Sequence, residues 1–534
     1  MTVLLITGTL AKSIVAAYAS KSEVETEVLA LPTQVASLMS PAYIASQLKR
    51  MDLSRFDVIL VPGMIASDTS IITQQVGIRC LKGPKHAADI PIVLENLGKI
   101  EFSTVRPGCE LLRDVARESA IRQLKSIYDA PDQPRRRTGS ISIGAGAGKI
   151  WIGRHLPMRV LAEIVDAPTM SSNEIAERAR HYVESGADII DIGMTAGGGH
   201  SEEAKQGVTI AKAVVKVPVS IDTVEPDEIR AAIEAGADMV LSIDAGNMEE
   251  VSDYTREIPV VITPGTRTHS VSHNVRGRLA QLQDNIGKAR HLGYRKIVAD
   301  AVLSPLLSPN FTESLTAFYE FRKRNPNVPL LLGAGNVTEL MDADSVGANL
   351  LLAGIAAEIN ANILLTTECS DKTQGCVSEL STAIKIAMLA RHRSSPPKDV
   401  GLDLLVLKEK RRKEEPPISA SGLRHFRARA AEGFIKDPAG SFKIWLDRST
   451  MEMIAAHFEY GSATPDTVIR GSDPLGIVAL AIEQGLISRL DHAAYVGSEL
   501  ESAKVALALK RSYVQDAELF EATALNRSRH ETSP

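Results

Sequence analysis

Short apolar runs alternate with amphipathic stretches along most of this chain, and the rhythm is most regular between residues 149 and 393. Runs at 159–165, 187–193, 217–222, 238–244, 258–263, 296–300, 329–333 and 361–367 read as strands. Between them lie segments such as EIAERARHYVES (174–185) and DEIRAAIEA (227–235), whose apolar positions recur at helical spacing. Eight such units in roughly 245 residues predict a (β/α)8 TIM barrel. An internal echo supports it: ESGAD at 184–188 and EAGAD at 234–238 each place a helix-ending glycine before a strand, two units apart.

The flanks follow other patterns. Residues 1–128 alternate TVLLITG (2–8), VETEVLAL (24–31) and FDVILVPGM (56–64) with helical segments, which predicts an N-terminal α/β layered domain of Rossmann-like type. Within it CLKGPKHAADIP (80–91) gathers Lys82, Lys85 and His86 around Gly83, either as an anion site at a helix start or as an exposed polar turn. Residues 129–148, rich in Pro, Arg and Gly, read as a linker, and so does 394–418, whose paired prolines bracket a charge run and a short amphipathic piece. A small C-terminal α+β domain is expected over 419–522, with 523–534 as a tail. The fold class is therefore α/β, with a central barrel between two smaller domains.

Composition narrows the function classes. A chain of 534 residues with 44% hydrophobic and 23% charged positions can bury several cores, and a net charge of −5 with 4% aromatics argues against nucleic-acid binding. No apolar run approaches the roughly 20 residues of a membrane span, and MTVLLITGTL lacks the pattern of a signal peptide, so a cytoplasmic protein without a membrane partner is expected. The four cysteines have no zinc-site spacing and read as reduced thiols.

A barrel confines its chemistry to the C-terminal ends of its strands. Read there, the chain offers Glu163, Asp191, Asp222, Ser242 or Asp244, Thr263, Asp300, Asn336 and Glu368. Carboxylates outnumber cations at these ends, so the mouth suits a ligand rich in N–H donors better than a polyanion, unless a metal intervenes. Asp222 has a second reading as a helix cap, because DTVEPDE looks like a helix start.

GADIIDIG (186–193), VPVSIDT (217–223), AIEAGADMV (232–240) and IVAD (297–300) occur in the order of the second, third, fourth and sixth strand motifs of the pterin-binding barrel family. The chain thus resembles a family that includes dihydropteroate synthases and the methyltetrahydrofolate corrinoid methyltransferases. The resemblance implies that Asp222 and Asp300 hold the aminopyrimidinone edge of a pterin, with Asp191 and Asp244 beside them. A carboxylate can accept both donors of that edge at once through charge-assisted bonds. Glu163 stands where the synthases carry an Asn. Asn336 in LLLGAGNVTEL stands where they carry a Ser-Arg-Lys stretch, and both departures resemble the methyltransferase branch, in which the Asn lies near the pterin N5. The fourth-strand Asn of both branches is replaced near Leu241 and Ser242, leaving Asp244 as a substitute.

The loops lean towards an anionic second substrate. TPGTRTHSVSHNVRGR (263–278) supplies Arg267, His269, His273, Arg276 and Arg278, a set suited to clamping a phosphate or diphosphate, or else a solvated loop with incidental charge. Lys372 in SDKTQG (370–375) follows the eighth strand at the usual barrel phosphate position. LISRLDHAAYVGSELESAKVAL (486–507) resembles a helical motif in one component of the tetrahydromethanopterin methyltransferase complex, with His492 facing a cofactor or packing beside Tyr495.

The first expectation is a dihydropteroate-synthase-like transferase of folate or tetrahydromethanopterin biosynthesis. It would join a 6-hydroxymethyl-dihydropterin diphosphate to an arylamine, the latter phosphorylated. Glu163, Asn336 and Lys372 would be its catalytic residues, Mg2+ is compatible, and a homo-oligomer is expected. The alternatives are a methyl-tetrahydropterin-dependent methyltransferase, for which the chain shows no D-x-H-x-x-G cobalamin motif, and a non-catalytic pterin-binding protein.

Overall fold

The first four strands form a parallel sheet of order β2-β1-β3-β4, from β1 (Thr2–Gly8), β2 (Glu25–Leu31), β3 (Val58–Val61) and β4 (Arg79–Lys82). A computed structural model describes residues 1–128, 139–265, 271–410, 422–428, 433 and 435–520. Both faces of this sheet are covered, Ile44, Leu48 and Ile72 packing on one side and Val15, Val93 and Leu94 on the other. The cluster around Gly83 is no open anion site. Lys82 is buried and donates to the Ile65 carbonyl at 2.6 Å, while Lys85 is paired with Glu110 at 2.6 Å.

A hairpin of β5 (Ile141–Ile143) and β6 (Ile150–Ile152) precedes the barrel. Sequence placed its first strand in a linker; the structure seats Ile143 and Ile152, both 0% exposed, against the apolar layer inside the barrel made by Leu161, Ile189, Met239, Val261, Val298 and Leu331. Burying each isoleucine contributes about 1.5–3 kcal/mol, which is why three-residue strands suffice to hold this plug.

The barrel strands are β7 (Arg159–Ile164), β8 (Ile189–Gly193), β9 (Val219–Asp222), β10 (Met239–Ile243), β11 (Val260–Ile262), β12 (Ile297–Ala299), β13 (Leu331–Gly333) and β14 (Ile363–Thr367). All neighbouring pairs are parallel in the order β12-β11-β10-β9-β8-β7-β14-β13, and an Ala299↔Leu330 bridge closes the ring between its two ends. Every strand expected from the sequence is present. The helices start and stop as local chemistry dictates: Ser171 and Glu174 form a capping box ahead of the helix Ser172–Glu184, and Gly186 and Gly236, the echoed glycines, adopt φ of 102° and 92° where the chain leaves a helix for a strand.

Residues 394–410 of the expected second linker contain no helix. They run instead as a strap whose Val400 packs with Ala120 and Leu124 of the helix Gly108–Tyr128 and with Ile386 and Leu389 of the helix Cys376–His392. The described residues from 422 onward belong to a second compact unit. In it the antiparallel β15 (Ser441–Asp447), β16 (Glu452–Phe458) and β17 (Thr467–Gly471) cover the helices Pro474–Glu483 and Leu490–Ala508. No helix among the described residues is long and apolar enough to cross a membrane.

Candidate functional site

Strand register decides which side chains enter the barrel mouth. Leu161 and Ile189 are in register and belong to the inner layer, so Glu163 and Asp191, each two residues further along, point inward and are again in register. Thr367 pairs with Glu163 on one side, Ser220 pairs with Asp191 on the other, and Asp222 follows Ser220 by two. Oxygens of Glu163, Asp191 and Asp222 consequently lie within 4.8 Å of one another. Gly193 makes room for this cluster. A Cβ there would collide with Glu163 Oε1, so Gly193→Ala should displace that carboxyl, leave the fold intact and lower turnover by about 10–100-fold, as steady-state kinetics and thermal melting together would test.

Crowded carboxyls in a poorly solvated mouth resist ionisation. Burial, reinforced by the neighbouring Asp222, pushes Glu163 up to about 8. Asp191 is fully buried and is raised well above the carboxylate range, chiefly by burial and then by Asp222 and Glu163. Burial raises Asp222 to about 6 and Asp300 to about 7, the Val302 amide opposing the rise at Asp300. The cluster thus holds protons at neutral pH. It also has unused capacity: Ser220 Oγ donates to Asp191 Oδ1 at 2.5 Å, while Asp191 Oδ2 and Thr367 Oγ1 are buried with no partner among the described residues.

Asp222 does not cap the helix that follows it. Thr223 Oγ1 accepts from the amide of Glu225, the N-cap residue of the helix Pro226–Glu234, at 3.1 Å and donates to Glu228 at 2.6 Å, and Glu228 in turn accepts from the His200 amide. The Asp222 carboxylate is left facing the mouth. Asp300 accepts from the Val302 amide at 2.7 Å through one oxygen. Asp244 is half-buried and closes a local turn by accepting from the Gly246 amide. Sequence reasoning missed the asparagine beside it. Asn247 is buried and donates to the Val224 and Ser242 carbonyls, tying the loops after β9 and β10 together; its place at the start of the helix Met248–Thr255 was the available signal.

Among the expected anion holders, Arg267 and His269 lie outside the described residues. Arg276 is exposed on the first turn of the helix Val275–His291. Arg278 corrects the expectation: it is 2% exposed, and its guanidinium donates to the carbonyls of Ser272, Ala301 and Val302 and to Ser304 Oγ, so no donor fork faces a substrate. Lys372 pairs with Asp342 at 3.0 Å. Asn336 is exposed and donates to the Leu303 carbonyl at 2.8 Å. Glu368 is buried and accepts from the Val377 amide at the start of a helix and from His181. In the C-terminal unit His492 is buried, bonded to Asp437 at 2.9 Å and stacked on Tyr495, the packing role rather than an open face.

A parallel barrel with acidic strand ends aimed into its mouth defines a class, and comparison with known proteins places the chain in it. Residues 165–361 match the family described as pterin binding enzyme, and residues 436–516 match the family named PterinBD-DUF4346. An uncharacterized protein of Methanocaldococcus jannaschii is 39% identical over 97% of this chain and 99% of its own length. The chain belongs to the pterin-binding barrel family. Similar solved structures include dihydropteroate synthase of Xanthomonas albilineans with indole-2-carboxylic acid and 6-chloroguanine, 19% identical over 48% of this chain and 99% of that one at a TM-score of 0.39. The Yersinia pestis enzyme with a pterine-sulfa conjugate is 18% identical over 47% and 100%, also at 0.39.

Proposed function

We propose that the protein is a dihydropteroate-synthase-like transferase that joins a 6-hydroxymethyl-dihydropterin diphosphate to an arylamine, as folate and tetrahydromethanopterin biosynthesis require. The observation that carries this reading is the pair Asp222 and Asp300, two strand-end carboxylates whose free oxygens can accept the amino and ring N–H donors of a pterin edge. In the reaction the arylamine nitrogen forms a bond to the exocyclic carbon as the carbon–oxygen bond to diphosphate breaks, and the amine loses a proton. The barrel's contribution is to hold both reactants in line, while Glu163, protonated at neutral pH, supplies a proton beside the departing anion.

A diphosphate leaving group implies Mg2+. The Glu163, Asp191 and Asp222 carboxyls lie within 4.8 Å of one another, but Glu163 holds a proton at neutral pH and burial favours the neutral form of Asp191, so the cluster does not suit that ion, which needs ionised carboxylates and would arrive with the diphosphate. Such an ion supplies charge neutralisation.

A second reading, methyl transfer from a methyl-tetrahydropterin, is favoured by the same protonated Glu163, since a departing pterin nitrogen needs a proton, and by the engagement of Arg278 away from any anion. Incubation with hydroxymethyl-dihydropterin diphosphate and 4-aminobenzoate should release diphosphate in step with pteroate formation. Demethylation of a methyl-tetrahydropterin by a corrinoid acceptor without diphosphate release would select the second reading. Tight pterin binding with neither turnover would leave a binding protein.

A further inference from the structure

Asp300 lies just beyond the end of β12, and the loop it opens passes through Val302, a β-branched residue held at φ 60°. That region of backbone space is unfavourable for such a side chain, so the turn persists only because its surroundings fix it. Two residues from other elements do so. Arg278, one turn into the helix Val275–His291, directs Nη1 to the carbonyls of Ala301, at 2.9 Å, and Val302, and Nη2 to Ser304 Oγ at 3.1 Å. Asn336, after β13, donates to the Leu303 carbonyl at 2.8 Å. Every residue from 301 to 304 is thereby held from outside the loop, and the Val302 amide that results is the one donated to Asp300 Oδ1.

The guanidinium has a third branch. Arg278 Nε donates to the Ser272 carbonyl at 3.1 Å, and the Ser272 amide donates to Gln281, so the same planar group grips the loop after β11. A guanidinium can do this because its donors diverge in one plane from a rigid fork, whereas an ammonium offers donors from a single point.

We propose that Arg278 is a positioning residue for pterin recognition, clamping the strained turn 300–304 so that Asp300 is aimed into the mouth and tying that aim to the loop after β11. This rests on the pterin reading of Asp300. Its consequence is coupling: a change in the loop after β11 on binding a second substrate would be transmitted to Asp300 through one side chain, with Asn336 as the independent brace.

The test is a double-mutant cycle on pterin affinity, read by calorimetry with a dihydropterin, using Arg278→Lys, Asp300→Asn and both together. Arg278→Lys should weaken binding about tenfold in the wild-type background and by less than about twofold in the Asp300→Asn background, because the clamp acts through that carboxylate. Equal losses in the two backgrounds would overturn the proposal and leave Arg278 a general support of the loops. Unchanged affinity in Asp300→Asn alone would instead overturn the pterin reading. Should Arg278→Lys fail to fold, Ser304→Ala removes only the Nη2 partner and is expected to give a smaller loss, again confined to the background that retains Asp300; a loss independent of Asp300 would count against the clamp.

Discussion

Asp222→Asn and Asp300→Asn should each cut pterin affinity by about 10–150-fold, the equivalent of the roughly 1.5–3 kcal/mol carried by a hydrogen bond to a charged group. An amide retains the shape of the carboxylate but turns one of its two acceptors into a donor, which then faces a donor of the pterin edge. The pH dependence has a definite sign. Burial raises Asp300 to about 7 and Asp222 to about 6, so at pH 5 both are neutral in the free protein and at pH 8 both are ionised. Affinity should therefore climb as pH rises through 6 and 7, and each Asn variant should lose its own share of that climb. Fluorescence titration of a dihydropterin between pH 5 and pH 9 reads both effects. Wild-type affinity in both variants would remove the pair from the site.

The eight barrel strands were legible because each is an apolar run that ends in a polar or glycine position, and the acids at those ends were legible because a parallel barrel points alternate residues of every strand inward. What the sequence withheld was tertiary. The Gly-rich stretch before the barrel reads as a linker, since three-residue strands are too short to show a period; only contact with the inner apolar layer makes Ile141–Ile143 a strand. Arg278 looked like one more cation on a basic loop. Its position could have been inferred from Asn274, whose side chain caps the helix by accepting from the Gly277 amide and so puts Arg278 on a helix rather than on the rim. Its partners could not, because three of the four are backbone carbonyls or hydroxyls on a loop more than twenty residues away. Glu228 and Asn247 were hidden for the same reason: a buried polar residue is recognised by the groups that satisfy it, and these include the His200 amide for Glu228 and the Val224 carbonyl for Asn247, both more than twenty residues away in other loops.

Glu163→Gln is expected to separate binding from chemistry. Burial and the nearby Asp222 hold the wild-type side chain in its neutral form up to about pH 8, so glutamine reproduces its charge, size and one of its acceptors while removing the transferable proton. Pterin affinity at pH 7 should stay within a few-fold of wild type, whereas kcat should fall by about 10²–10⁴, the usual worth of a positioned general acid. The wild-type rate should also decline as pH rises through about 8, where Glu163 gives up its proton in the absence of substrate, and the glutamine variant should lack that limb. A variant with unchanged kcat would assign the proton to another group, Asp191 being the next candidate because it is still more deeply buried and its carboxyl is raised as well. The experiment also bears on the choice of reaction. An arylamine can displace diphosphate without an acid if a divalent cation neutralises the departing charge, so excess Mg2+ should partly restore a synthase carrying Glu163→Gln. A pterin nitrogen that leaves in methyl transfer needs the proton itself, and no concentration of Mg2+ would substitute for it.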